Sequence, residues 1–79
     1  MAEGREPYDV ESVVWRTSAG ETVSCIEKLK VMSQNFRELQ QLAQDALEDA
    51  VLMGCDEAQV RAELMRLIET LRSNYRPAT

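Results

Sequence analysis

The sequence contains no histidine, and this removes the side chain that most often binds metal ions and most often serves as a general base near neutral pH. Its two cysteines, Cys25 and Cys55, form no CxxC pair, so a zinc site within one chain is not expected. Glycine-rich phosphate loops and nucleophile elbows are also missing. We therefore predict that the protein is not an enzyme and uses no catalytic residue, metal or cofactor.

The carboxylates of Asp45, Glu48 and Asp49 are the one group that could suggest a metal site or acid–base chemistry, because they lie about one helical turn apart. Di-metal sites in helical bundles add Glu-x-x-His pairs, and a chain without histidine cannot supply them. We interpret these carboxylates as a solvent-exposed helix face.

The two cysteines are not expected to form a disulfide within the chain. If residues 25–53 form one helix, as argued below, its ends lie about 40 Å apart at 1.5 Å per residue. A disulfide requires Cα atoms within about 7 Å of each other. Two free thiols are typical of a reducing compartment, so we expect a cytoplasmic protein.

Basic residues are scarce, with nine lysines and arginines against fourteen acidic residues and a net charge of −5. This acidic balance disfavours binding to nucleic acids or anionic membranes, where basic patches supply most of the attraction. Long apolar runs are missing as well: no segment approaches the roughly 20 apolar residues of a membrane span. Residues 1–7 are polar and lack the apolar stretch of a signal peptide.

The N-terminal quarter of the chain favours turns and short strands. Residues 1–10 are charged, contain Gly4 and Pro7, and predict a disordered arm. Residues 12–17 and 21–23 are rich in β-branched and aromatic side chains and predict a β-hairpin. Gly20 would take the left-handed position of its turn. An isolated hairpin is marginal in water, so it should pack on another element.

A long helix is predicted for residues 25–53, which contain neither glycine nor proline. Ser24 and Glu27 have the spacing of a capping box at its start, and Gly54 supplies a left-handed position at its end. Apolar residues alternate steps of four and three along this segment, which is the seam of a helix packed along its length. The seam comprises Cys25, Leu29, Met32, Phe36, Leu39, Ala43, Ala46, Ala50 and Met53.

A shorter second helix is predicted for residues 57–74, with Asp56 and Gln59 as its capping box. Only Gly54 and Cys55 separate the helices, so they should fold back as an antiparallel helical hairpin. Residues whose numbers sum to about 110 then face each other, and small side chains on one helix meet large ones on the other. The expected apolar pairs are Ala50–Val60, Ala46–Leu64, Ala43–Leu67 and Leu39–Leu71, and the expected ion pairs are Asp49–Arg61, Asp45–Arg66 and Glu38–Arg72.

The predicted domain covers residues 11–76, with residues 77–79 as a tail, and it cannot bury all of its apolar side chains. A two-helix unit has no second layer, and a chain of this size has a thin core. The residues left over form the predicted interaction surface: Trp15, Leu29, Met32, Phe36, Leu42, Leu47, Val51 and Met65. We expect two chains to associate into a four-helix bundle as a homodimer, although another protein could cover the same surface. The β-hairpin could also fold over Leu29, Met32 and Phe36, with Trp15 and Val13 as the covering side chains.

The leading functional hypothesis is a non-catalytic protein–protein interaction module, a small dimeric adaptor or regulator of another protein. One alternative is a small DNA-binding transcriptional regulator, since a strand followed by two helices is similar to ribbon-helix-helix proteins. Against it, the first helix is too long for that module and the strand offers only Arg16 as a base reader. A second alternative is a thiol redox switch through Cys55, although neighbouring Asp56 and Glu57 would disfavour its thiolate. The layout is typical of short bacterial or phage reading frames.

Overall fold

The structure is a computed structural model of the chain and describes residues 6–75. These residues form a 3₁₀ turn at Val10–Ser12, helix α1 at Ile26–Leu52 and helix α2 at Glu57–Glu69. The chain is thus mainly helical, with a long first helix and a shorter second one, as the sequence predicts. None of the helices in this described range has the length and apolarity needed to cross a membrane.

The chain divides into two compact units, unit 1 at Met1–Arg37 and unit 2 at Glu38–Thr79. The boundary between them falls within α1. The predicted division into an arm at residues 1–10, one domain at 11–76 and a tail at 77–79 stays a prediction, because residues 1–5 and 76–79 lie outside the described range.

Helix α1 agrees with the predicted segment to within one residue at each end. Its first backbone bond runs from the Leu29 N–H to the Cys25 carbonyl, at 3.0 Å, so Cys25 and not Ser24 stands at the N-cap position. The helix therefore begins one residue later than the predicted capping box of Ser24 and Glu27 requires.

The end of α1 is a glycine turn with two backbone bonds. The Gly54 N–H donates to the Val51 carbonyl at 3.0 Å, and the Cys55 N–H donates to the Ala50 carbonyl at 2.9 Å. This is the Schellman pattern, which requires a left-handed residue after the helix. Gly54 supplies it with a φ of 97°, which confirms the prediction for this position.

Helix α2 begins as predicted and ends early. The Asp56 carboxylate accepts a hydrogen bond from the Gln59 N–H at 2.9 Å, the expected N-cap bond. The helix ends at Glu69 rather than at residue 74. There the Thr70 hydroxyl donates to the Leu67 carbonyl, and further on the Ser73 hydroxyl accepts from the Tyr75 N–H. Thr70 is the C-cap residue of α2, and these local side-chain bonds are of the kind that competes with further helical bonds.

The predicted β-hairpin is reduced to a turn, and no strand occurs between residues 6 and 75. A single antiparallel bridge joins Arg16 and Thr22. The pairing lies beside the turn, where the Thr17 N–H donates to the Glu21 carbonyl at 2.7 Å and the Val23 N–H donates to the Trp15 carbonyl at 2.8 Å. Gly20 has a φ of 88°, which confirms its left-handed position in the turn.

Unit 2 contains a helical hairpin made from the second half of α1 and from α2. Five residues at helical spacing are half-buried and define its seam: Ala43, Leu47, Ala50, Val60 and Leu64. The sequence places Ala46 on this seam, but Ala46 is exposed and Leu47 takes its place. From Ala43 to Ala50, a helix face can include either position 46 or position 47, because both spacings fit the helical repeat. Leucine is larger than alanine, so Leu47 buries more apolar area than Ala46 would.

Candidate interaction surface

The structure separates the eight predicted surface residues into two groups. Trp15, Leu29, Met32 and Phe36 belong to unit 1, and all four are half-buried there. The remaining four belong to unit 2, where Leu47 is half-buried in the seam. The other three are exposed, with relative exposures of 69% for Leu42, 42% for Val51 and 65% for Met65.

The unit 1 group is engaged in an aromatic cluster around Phe36. The Trp15 ring meets the Phe36 ring edge-on, with centroids 5.2 Å apart and planes at 65°. The Tyr8 ring stacks on the same phenylalanine at 6.3 Å and 24°. Both arrangements are among the favourable geometries of aromatic pairs. The side chains that the sequence offers to a partner therefore pack largely within unit 1 itself.

Three residues of this cluster region were not anticipated from the sequence. Val10, within the segment read as a disordered arm, is buried at 4% exposure, and Tyr8 stacks as described. Glu11 forms an ion pair with Arg37. Two features of the sequence could have indicated an ordered segment here. Tyr8 and Val10 alternate with polar residues, and Asp9 is a typical capping residue. In the structure the Asp9 carboxylate accepts a hydrogen bond from the Glu11 N–H at 3.0 Å and caps the 3₁₀ turn.

An open apolar groove of about 490 Å³ lies in unit 1 beside the Trp15 ring. Its walls are mainly apolar, and two cationic side chains and one carboxylate also line it. The lining residues are Trp15, Arg16, Val23, Glu27, Lys28, Val31 and Met32. The groove has the size of a small-ligand site but not the enclosure that such sites need to bury most of a ligand.

The exposed apolar residues of unit 2 lie beside the seam of the hairpin. On α1, Leu42 and Ala46 each stand one position before the seam residues Ala43 and Leu47, and both are exposed. Leu39, also on this side, is 45% exposed. On α2, a groove of about 320 Å³ is lined by Glu63, Leu64, Arg66, Leu67 and Thr70.

The charges of unit 2 are distributed unequally between its two helices. The α1 half, residues 38–52, carries Glu38, Asp45, Glu48 and Asp49 and neither lysine nor arginine. The arginines are on α2 and pair within that helix: Arg61 with Glu57 at 2.9 Å, and Arg66 with Glu63 at 3.6 Å. These intrahelical pairs, one turn apart, differ from the pairs predicted between the helices for Arg61 and Arg66.

The sequence drew attention to Cys55, whereas the structure places Cys25 at the N-cap of α1. Both are exposed. The backbone N–H of Lys28 donates to the Cys25 sulfur and lowers its pKa, against a smaller desolvation effect. The N–H of Glu27 and the ammonium of Lys28 lower the pKa of Cys25 further. This follows from the N-cap position, where free backbone N–H groups stabilise a thiolate.

Among residues 6–75 no group of three or more cysteine, aspartate or glutamate side chains is arranged to hold a metal ion. No family model matches this chain, and neither does any curated protein or solved structure. The exposed apolar residues and the charge distribution of unit 2 are therefore the features from which a function can be argued.

Proposed function

We propose that this chain is a non-catalytic protein–protein interaction module, a small cytoplasmic adaptor or regulator of another protein, and that it acts as a homodimer. One observation carries the proposal: no residue of α1 or α2 is buried. Unit 2 at the same time exposes a series of large apolar side chains, among them Leu42, Met65 and Leu67. Apolar side chains that remain exposed along both helices of a single layer favour an interaction surface.

Self-association is favoured by what the exposed residues would gain. Complete burial of a leucine, valine or methionine side chain contributes about 1.5–3 kcal/mol, and a two-helix layer cannot provide it. A second copy supplies an identical layer, and two helical hairpins then form a four-helix bundle around a shared core. Oligomerisation is a common way for chains of this size to reach a stable fold.

Sedimentation equilibrium of the full chain at micromolar concentration tests the proposal. We expect a mass of two chains, with helical circular dichroism that melts at a temperature dependent on protein concentration. A strictly monomeric chain that unfolds cooperatively, at a midpoint independent of concentration, would contradict the dimer.

A matched pair of variants locates the interface. Leu42→Glu places a charge among the exposed apolar residues of unit 2, and we expect the dimer dissociation constant to rise at least tenfold, or about 1.4 kcal/mol. Leu42 is 69% exposed in the single chain, so the effect should not arise from loss of the chain's own fold. Gln44→Glu adds the same charge at an exposed position and should leave the dissociation constant nearly unchanged.

DNA binding, the alternative hypothesis, has less support from the arginines. The Arg16 guanidinium donates to the Gly20 carbonyl and the Thr22 hydroxyl, at 3.4 and 3.3 Å, and Arg61 and Arg66 pair with carboxylates. A gel shift with random duplex at low salt would reveal even non-specific binding. We expect no retardation of the DNA.

A further inference from the structure

We infer that in the dimer α1 of one copy packs against α2 of the second copy, with Leu42 entering the groove beside Leu67, rather than α1 packing against its own counterpart. The inference rests on the proposed homodimer and specifies which surface of the second copy covers the exposed side of unit 2. It uses only residues of unit 2.

Exposed residues from both helices share one side of the hairpin. Leu42 and Ala46 on α1 each precede a seam residue by one position, which turns them by about 100° from the seam. Glu63 on α2 precedes the seam residue Leu64 in the same way. Because the two helices run antiparallel, positions just before the seam project to the same side on both. The Leu42 edge of α1 and the α2 groove therefore form one continuous face.

The two halves of this face are complementary in shape. The α2 groove has apolar walls at Leu64 and Leu67 and a volume of about 320 Å³. Leu42 stands exposed on α1 and offers a single branched apolar side chain. A knob from one helix packed into a groove of another is the usual geometry of helical bundles.

The charges favour the same arrangement. Residues 38–52 carry four carboxylates and no cation, so α1 against α1 of the second copy would oppose like charges. The cation at the α2 groove is Arg66, which is 74% exposed and only loosely paired with Glu63. Asp45 lies three residues after Leu42 and is rotated by about 60° from it, toward the outer side of α1. Docking of Leu42 into the groove brings Asp45 near Arg66 of the other chain.

Twofold symmetry then determines the order of the helices. A contact from α1 to α2 of the second copy is repeated from α2 to α1, so the interface contains two equivalent contacts. Every helix has antiparallel neighbours, and the two copies of α1 run parallel to each other on a diagonal of the bundle. The two acidic helices are thereby kept as far apart as a four-helix bundle allows.

Cross-linking between single-cysteine variants tests this arrangement. In a Cys25→Ser, Cys55→Ser background, a tagged Leu42→Cys chain is mixed with an untagged Leu67→Cys chain and treated with a short bis-maleimide reagent. Both positions are exposed, so the substitutions should leave the helical circular dichroism unchanged. We expect the mixed product to exceed the product of two Leu42→Cys chains severalfold.

The outcomes separate this inference from the proposed function. A yield of Leu42→Cys pairs equal to or above that of the mixed product would overturn the inference and leave the dimer in place. Monomeric behaviour of both variants and of the wild-type chain in sedimentation would overturn both proposals.

A charge exchange gives a second test. Asp45→Arg and Arg66→Asp should each raise the dimer dissociation constant about three- to tenfold, and the double variant should recover most of the loss. Glu48→Arg is the control, because Glu48 follows the seam residue Leu47 and lies on the other side of the hairpin. If the dimer dissociation constant of the double variant is as high as that of the more weakly associating single variant, Asp45 and Arg66 do not contact each other in the dimer.

Discussion

The two units of this chain contain similar numbers of residues and achieve order by different means. Unit 1 joins residues that are distant in sequence: Tyr8 and Trp15 contact Phe36, and Glu11 pairs with Arg37. In unit 2 the ion pairs that the structure shows are local, at spacings of three and four residues on α2. Its helices meet along a half-buried seam. Irregular segments that fold over a helix give unit 1 its own small core, whereas unit 2 is a single helical layer.

The units also differ in charge. Residues 1–37 contain six acidic and five basic residues, and residues 38–79 contain eight acidic and four basic ones. Like charges on two copies of unit 2 oppose association, and at 0.1 M salt this repulsion is largely screened only between charges more than about 10 Å apart. Unit 2 therefore has the greater need of a second helical layer and also the greater charge repulsion between two copies. The order of the helices in a bundle determines how close its acidic residues come to each other.

The largest expected effect is the loss of the unit 1 core. Phe36→Ala removes both aromatic contacts, and we expect the free energy of unfolding to fall by about 2–4 kcal/mol. Urea denaturation at fixed protein concentration measures the loss, and Trp15, the sole tryptophan, reports it by fluorescence. Leu52→Ala is the control, because Leu52 is 87% exposed and should change stability little. Equal losses for both variants would contradict a core in unit 1.

The helix-ending turn of unit 2 should give the next largest effect. Gly54→Ala forces an L side chain into a φ of 97°, and we expect a loss of about 1–2 kcal/mol. No atom lies within 4 Å of the added Cβ, so the loss would be conformational and not steric. Gly54→Asn should recover part of it, since asparagine tolerates this region better. Thermal unfolding followed at 222 nm compares the three proteins, and an unchanged midpoint for Gly54→Ala would contradict the turn.

Loss of the α2 cap should cost somewhat less. Asp56→Ala removes the acceptor of the Gln59 N–H, and we expect a loss of about 1 kcal/mol in the free energy of unfolding. Asp56→Ser keeps a capping oxygen and should remain within a few tenths of a kcal/mol of the wild-type chain. Urea denaturation followed by circular dichroism distinguishes them. If alanine and serine are equally tolerated, the cap bond does not stabilise α2.

The ion pair of unit 1 should have the smallest effect on stability. Glu11 and Arg37 are both more than half exposed, at 55% and 57% for their side chains, so Glu11→Gln should cost less than about 1 kcal/mol. The loss should shrink further in 1 M salt. A loss as large as that of Phe36→Ala would mean that Glu11, and not the aromatic cluster, holds the N-terminal segment in place.

The pH dependence of Cys25 alkylation tests the N-cap interaction at the start of α1, in the folded and in the unfolded chain. In a Cys55→Ser background, the rate of Cys25 alkylation should rise with a midpoint below the ordinary thiol pKa of 9.0. The sign follows from the backbone N–H groups, which stabilise the thiolate in the folded chain and are lost on unfolding. In urea the midpoint should therefore move up. A midpoint that is the same in both states would contradict the N-cap interaction.

The long helix could be predicted from the sequence because its signals are local. Residues 25–53 contain no glycine or proline, and Gly54 ends the helix in a conformation that few other residues adopt. The end of α2 carried no such signal. The apolar spacing continues to Leu71, and Thr70, the C-cap residue, is not a residue whose type marks the end of a helix.

The burial of the candidate surface residues was predictable only in part, because burial depends on contacts between distant residues. Charge and glycine content made residues 1–10 look disordered, yet Val10 is buried and Tyr8 stacks on Phe36. Nothing in the local sequence connects position 8 to position 36. In unit 2, two alternative spacings fitted the same helix, and which of Ala46 and Leu47 lies in the seam depends on the packing of α2.

The glycine turn of unit 2 has a consequence for how the backbone exchanges hydrogen with solvent. Helix ends usually lose amide protection first, but the amides of Gly54 and Cys55 are both bonded to carbonyls of α1. Beyond Glu69 the Thr70 and Leu71 amides are still bonded to the Arg66 and Ile68 carbonyls of α2, and the side chains of residues 70–75 are exposed. Deuterium should therefore enter residues 72–74 well before it enters the connection between the helices, so the hairpin opens from its free end and not from its turn.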